Sequence, residues 1–145
     1  MKRELILPGL IWVLKVGLGL LLAVAGALKY WDAPQLATEI ANYRLLPDLA
    51  PFAANTLPMI EMVVGAALIV TPPRNLWLQA AAICAAALMA AFVVATAHVV
   101  DSGIDITCGC FGESSGSVTT LTTVRNIALT LASVALLFLA RRHRR

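Results

Sequence analysis

Charge is scarce in this sequence. Only 13% of its 145 residues are charged and 60% are hydrophobic, whereas ordinary soluble domains are about 25% charged and about 45–50% apolar. A water-soluble globule has no way to hide that much apolar surface, so this class is excluded. Long polar stretches are missing too. Once four bilayer spans of roughly 20 residues each are set aside, only short connections and ends remain, which leaves no room for a separate soluble domain. Basic residues are few, and they punctuate the apolar runs instead of forming a binding face. Four of the eleven, Arg141, Arg142, Arg144 and Arg145, directly follow an apolar segment. That placement suits the positive-inside rule and argues against nucleic acid as a partner. Cysteine is equally sparse, with three in the chain. Cys108 and Cys110, even joined by His98, Asp101 and Asp105, match none of the usual structural zinc spacings, so no metal site is expected.

What is present is four apolar runs, over about 10–29, 51–70, 76–100 and 121–140. They predict an all-α fold, an integral membrane four-helix bundle that meets membrane lipid on its outer face. Lys15 interrupts the first run near one end, where its ammonium is expected to snorkel to the headgroups. A cleaved signal peptide is the competing reading of this run, because Met1-Lys2-Arg3 is a basic start and Ala23-Val24-Ala25 resembles a cleavage box. The run's length and its internal lysine favour a span. Thr71-Pro72-Pro73-Arg74-Asn75 is a tight turn that makes the second and third runs neighbours. The third run is dense in alanine and is expected to be the best-packed helix. Between the first two runs, Leu36, Ile40 and Tyr43 recur with a helical period. This predicts a short interfacial helix that ends near Leu46-Pro47.

Lys2, Arg3, Arg74 and the terminal arginines fall on one side of such a bundle. The other side carries Asp32, Glu39, Asp48, Asp101, Asp105 and Glu113, with Lys29 and Arg44 as the basic residues near them. The positive-inside rule therefore puts both termini in the cytoplasm. Residues 30–50 and 101–120 then face outward, into the periplasm if the membrane is a bacterial inner membrane.

The most distinctive segment is Cys108-Gly109-Cys110-Phe111-Gly112, on the expected oxidising side. Cysteines one residue apart close only a very small ring, and strained, exposed bridges tend to be labile or catalytic. The alternatives are a passive disulfide that staples the loop and two thiols with no role. His98, about a turn from the end of the third run, is placed either to stabilise a thiolate or simply to bond a backbone carbonyl. Cys84 reads as a small packing residue. Glu61 and Arg125 are ionisable groups inside apolar runs, where charges turn inward to partners. With Arg44 and Lys29 they are expected to form a polar cluster under the outer loops, Glu61 lying near Arg125 or Arg44, with fixing helix packing favoured over direct proton or electron chemistry.

Several segments together resemble a known family. They are Ala25-Gly26-Ala27-Leu28-Lys29-Tyr30-Trp31-Asp32, Tyr43-Arg44-Leu45-Leu46-Pro47, Leu57-Pro58-Met59-Ile60-Glu61 with Gly65, the Cys108 to Gly112 segment, and Arg125-Asn126. In this order, over nearly the whole chain, they look like the MauE branch of the DoxX-like membrane proteins. The resemblance implies a four-helix inner-membrane protein of methylamine utilisation. It would help the disulfide-rich small subunit of methylamine dehydrogenase, or another exported client, to mature beside a thioredoxin-like periplasmic partner. Cys108 and Cys110 would then carry thiol-disulfide exchange. The chain has no second outer cysteine pair. A relay would therefore use a partner protein, a quinone or a transient mixed disulfide, and no other cofactor is expected. The second reading is a non-enzymatic scaffold for assembly of a secreted redox enzyme. A transporter is disfavoured because the spans hold few polar groups near the midplane.

Overall fold

In the computed structural model of the protein, residues 2–45, 47–103 and 118–144 are described. Cys108 and Cys110 lie outside them. Five α-helices run in the order α1 (Lys2–Trp31), α2 (Ala33–Asn42), α3 (Ala50–Val70), α4 (Leu76–Asp101) and α5 (Thr120–Arg144), with a 3-10 turn at Pro47–Leu49. At ~1.5 Å per residue, the 21 residues of α3 span ~31 Å and the 26 of α4 ~39 Å. Both exceed the ~30 Å of a bilayer's hydrocarbon core. Each of α1, α3, α4 and α5 contains a stretch long and apolar enough to cross a membrane. The chain is a multi-pass membrane protein.

The spans alternate in direction: Gly19 meets Gly65 while Gly26 meets Pro58, the turn at 71–75 reverses α3 into α4, and Asp101 and Thr120 line one cleft. α1 packs along α3 and α4 along α5, and the two pairs are joined through α3 with α4 and α1 with α5. Ile11, Leu18, Leu22, Val64, Leu68, Leu78, Ala82, Met89 and Leu136 fill the interior. Trp12, Val13, Val63, Val94, Leu131 and Phe138 point outward, as helices dissolved in lipid require. Hydroxyls within the spans bond back to their own helix. Thr96 donates to the carbonyl of Phe92 at 2.8 Å and Ser133 to that of Leu129 at 2.9 Å.

α1 and α3 approach each other closely, and glycine makes this possible. A Cβ on Gly65 would stand 2.6 Å from the Gly19 carbonyl oxygen and 2.7 Å from the Ala23 nitrogen, both backbone atoms that have no room to yield. Alanine does not have the role expected of it. The first span is 39% buried and the alanine-rich one 28%, because Ala80, Ala87, Ala90, Ala91 and Ala97 of α4 lie on its exposed side. Cys84 shares that side as an exposed thiol. Close packing in lipid thus follows the residue that brings backbones together, not the number of small side chains.

Lys15 does not snorkel. It is 1% exposed, and its Nζ donates to the carbonyls of Ile69 and Thr71, each at 2.8 Å, with the Trp12 ring 4.2 Å away. The ammonium caps the C-terminus of α3, where carbonyls lack helical partners and the helix dipole is negative. At the other end of the bundle, the Asp32 side chain accepts from the Gln35 amide at 3.3 Å and starts α2. α2 ends at Asn42, earlier than its sequence suggests, where Arg44 turns the chain with φ of 56°.

Candidate functional site

Two short motifs build a buried ion pair between α1 and α3. Gly26 and Lys29 are three residues apart on one face of α1, and Pro58 and Glu61 are three apart on the facing side of α3. A Cβ at Gly26 would lie 2.7 Å from the Pro58 carbonyl oxygen and 3.1 Å from Glu61 Cβ. Glycine there lets α3 come close enough for the charges to meet. Lys29 Nζ donates to Glu61 Oε1 at 2.6 Å, with the side chains 3% and 0% exposed. The ammonium also lies 4.6 Å from the centre of the Phe92 ring on α4.

Arg125 and Asn126, near the start of α5, complete the layer. Together with Lys29, Glu61, Met89 and Phe92 they line a cavity of about 20 Å³, a size that holds one water molecule. Glu61 Oε2 and Asn126 Nδ2 are buried there without hydrogen-bond partners among the described residues. The layer therefore draws on all four spans. In it one oxygen of the Glu61 carboxylate is engaged by Lys29, the other faces the small cavity, and the Arg125 side chain lines the same space.

A larger cavity of about 440 Å³ adjoins it on the side of α2. Lys29 and Phe92 line both. Its walls come from α2, α3, α4 and the turn between α2 and α3 and are mainly apolar, and besides Lys29 the residues Glu39, Tyr43, Thr56 and Thr96 contribute polar groups. Glu39 is buried and accepts from Gln35 Nε2 at 3.3 Å.

Of the residues expected in the polar cluster, Arg44 and His98 stand apart from this layer. Arg44 is exposed at its left-handed turn, beyond the last residue of α2, and lines neither cavity. His98 is half-buried one turn from the end of α4 and lines a separate cleft with Asp101, Thr120 and Thr123. No group of three or more metal-ligating side chains occurs among the described residues. Glu39 and Asn126 were not among the candidate site residues. Glu39 was findable, because the stripe of Leu36, Ile40 and Tyr43 places position 39 on the same face of α2.

Residues 7–139 match the family described as methylamine utilisation protein MauE. The methylamine utilization protein MauE of Paracoccus denitrificans is 36% identical over 139 residues, covering 94% of this chain and 73% of that protein. The chain belongs to the MauE family. No solved structure matches it. The family segments singled out in the sequence gain a physical meaning here: in this MauE-family chain, Gly26, Lys29, Pro58 and Glu61 meet as one contact between α1 and α3.

Proposed function

We propose that this MauE-family protein is an inner-membrane component of thiol-disulfide exchange on the periplasmic side. It serves methylamine utilisation by helping an exported disulfide-rich client to mature beside a thioredoxin-like partner. Cys108 and Cys110 are the exchanging pair. The observation that carries this reading is the arrangement of helix ends. α4 stops at Asp101 and α5 begins at Thr120 at the same end of the bundle as α2. The helices on either side of the segment that holds both cysteines thus end on the side of the bundle where Lys29, Glu61 and Arg125 gather, which supports reading that side as the site of exchange. The distribution of Lys and Arg supports an outward direction for that end.

In such an exchange a thiolate attacks one sulfur of the client's disulfide, and the mixed disulfide is resolved by the second cysteine. One bridge forms as the other is reduced, and two electrons and two protons pass between the partners. The reverse direction uses the same steps. The test replaces each cysteine by serine in cells grown on methylamine. The expected result is loss of client maturation in both variants while the protein remains in the membrane. Full maturation in either variant would leave the scaffold reading, which the packing roles of Lys15 and Lys29 favour. Sidedness is checked separately: a membrane-impermeant maleimide should label the reduced cysteines in intact spheroplasts, and labelling that needs lysis overturns the periplasmic assignment.

A further inference from the structure

The geometry points to the 440 Å³ cavity between α2, α3 and α4 as a binding site for the ring of a prenylated quinone, with a ring carbonyl accepting from Lys29 Nζ. Volume and lining come first. Pockets that hold small ligands run to about 300–1,000 Å³, mostly apolar with a few placed polar groups, and this cavity has that character. Phe52, Ile60 and Ala91, all exposed, lie on its lining, so it opens sideways on a face of the bundle that meets lipid. A ligand entering there comes from the bilayer and keeps its apolar tail in it.

The floor selects the head group. An ammonium has three donors. Lys29 gives one to Glu61 Oε1, turns toward the Phe92 ring, and has no further acceptor among the described residues. Its charge is already balanced by Glu61, so the floor offers hydrogen-bonding capacity without calling for an anion. A phosphate or fatty carboxylate brought to this depth would add an unbalanced charge in an apolar wall that also holds Glu39. A neutral carbonyl on a flat ring meets both conditions, and Phe92 supplies an aromatic surface beside the donor. The site is made by the helices and by the turn that carries Tyr43, Leu45 and Leu49, and does not depend on the role assigned to the cysteines.

The experiment uses the full chain in nanodiscs and a ubiquinone carrying a decyl tail as the probe. Bound quinone is extracted and quantified after gel filtration. The expected result is saturable binding near one quinone per chain. Ala91→Trp, which fills the mouth of the cavity from an exposed position, should abolish it. Lys29→Met should weaken it about ten-fold or more, the loss of a charge-assisted hydrogen bond. Leu131→Trp, on the exposed face of α5, should leave it unchanged. Ala91→Trp keeps the test sharp if Lys29→Met fails to fold. The Cys108→Ser/Cys110→Ser variant should bind quinone as the parent does, which separates this site from the exchange reading. Three results would overturn the inference: binding indifferent to Ala91→Trp, a tightly held phospholipid that the probe fails to displace, or a dimer that buries Phe52 and Ile60.

Discussion

Removing one partner of the Lys29–Glu61 pair should be far more damaging than removing both. The pair is held at 2.6 Å with side chains 3% and 0% exposed, so each charge depends on the other for solvation. Breaking a buried pair from one side costs ~3–5 kcal/mol, whereas replacing both members with apolar groups of similar volume is often neutral or stabilising. Lys29→Met and Glu61→Leu should therefore each lose ~3 kcal/mol or more, and the double variant should lie within ~1 kcal/mol of the parent. The coupling energy of the cycle then comes to several kcal/mol. Reversible unfolding in mixed micelles, titrated with SDS and followed by circular dichroism, measures all four corners. Losses that simply add, leaving a coupling under ~0.5 kcal/mol, would refute the claim that the two residues solvate each other. The cycle also separates packing from chemistry. A stable double variant that fails in client maturation would assign the pair a functional role, and one that works would leave it with packing.

Two further substitutions test how α1 and α3 are held. Gly65→Ala should cost about 1–3 kcal/mol in the same titration, the usual range for overpacking, since its Cβ would sit 2.6 Å from the Gly19 carbonyl oxygen. A neutral result would mean that the helices can separate freely. Lys15→Met should release the carbonyls of Ile69 and Thr71 and fray the end of α3 at a cost of ~1–3 kcal/mol. Hydrogen exchange over residues 69–75 should rise there and stay unchanged around Glu61. Unaltered exchange in both regions would show that the cap is not needed.

The spans were legible because an apolar run of bilayer length has one structural solution, and the turn at Pro72-Pro73 ended α3 where it was expected. The interfacial helix was legible from three residues, Leu36, Ile40 and Tyr43, with its start written in Asp32 and Pro34. Packing was less legible, and Lys15 shows why. Whether a lysine near a helix end reaches for headgroups or for another helix depends on what lies across the interface. The answer was set by the carbonyls of Ile69 and Thr71, more than fifty positions away. The α4 alanines mislead for a related reason: a small residue permits close approach, but composition does not say which face is approached.

The charge pairing shows what a sequence needs before it yields a contact. Position in the apolar runs points Glu61 to Arg125 or Arg44, yet the structure pairs it with Lys29, so hydropathy alone does not rank the cations. Side-chain direction does. Helical side chains lean toward the N-terminus of their own helix, and α1 and α3 run in opposite directions. Lys29, two residues from the end of α1, therefore leans into the bundle. Glu61, near the middle of α3, leans out toward the end where α2 lies. They converge at the level of Gly26 and Pro58, where the backbones come close. Arg44 could not compete, because a left-handed residue after the last turn of α2 has left the helix whose geometry would have aimed it inward. The readable signal was thus Gly26 three positions before Lys29 and Pro58 three before Glu61, in two segments that face each other in antiparallel helices. That pattern is stricter than a charge in an apolar run: Ala41 and Thr122 stand three positions before Arg44 and Arg125, and glycine, which lets the backbones close, stands only before Lys29.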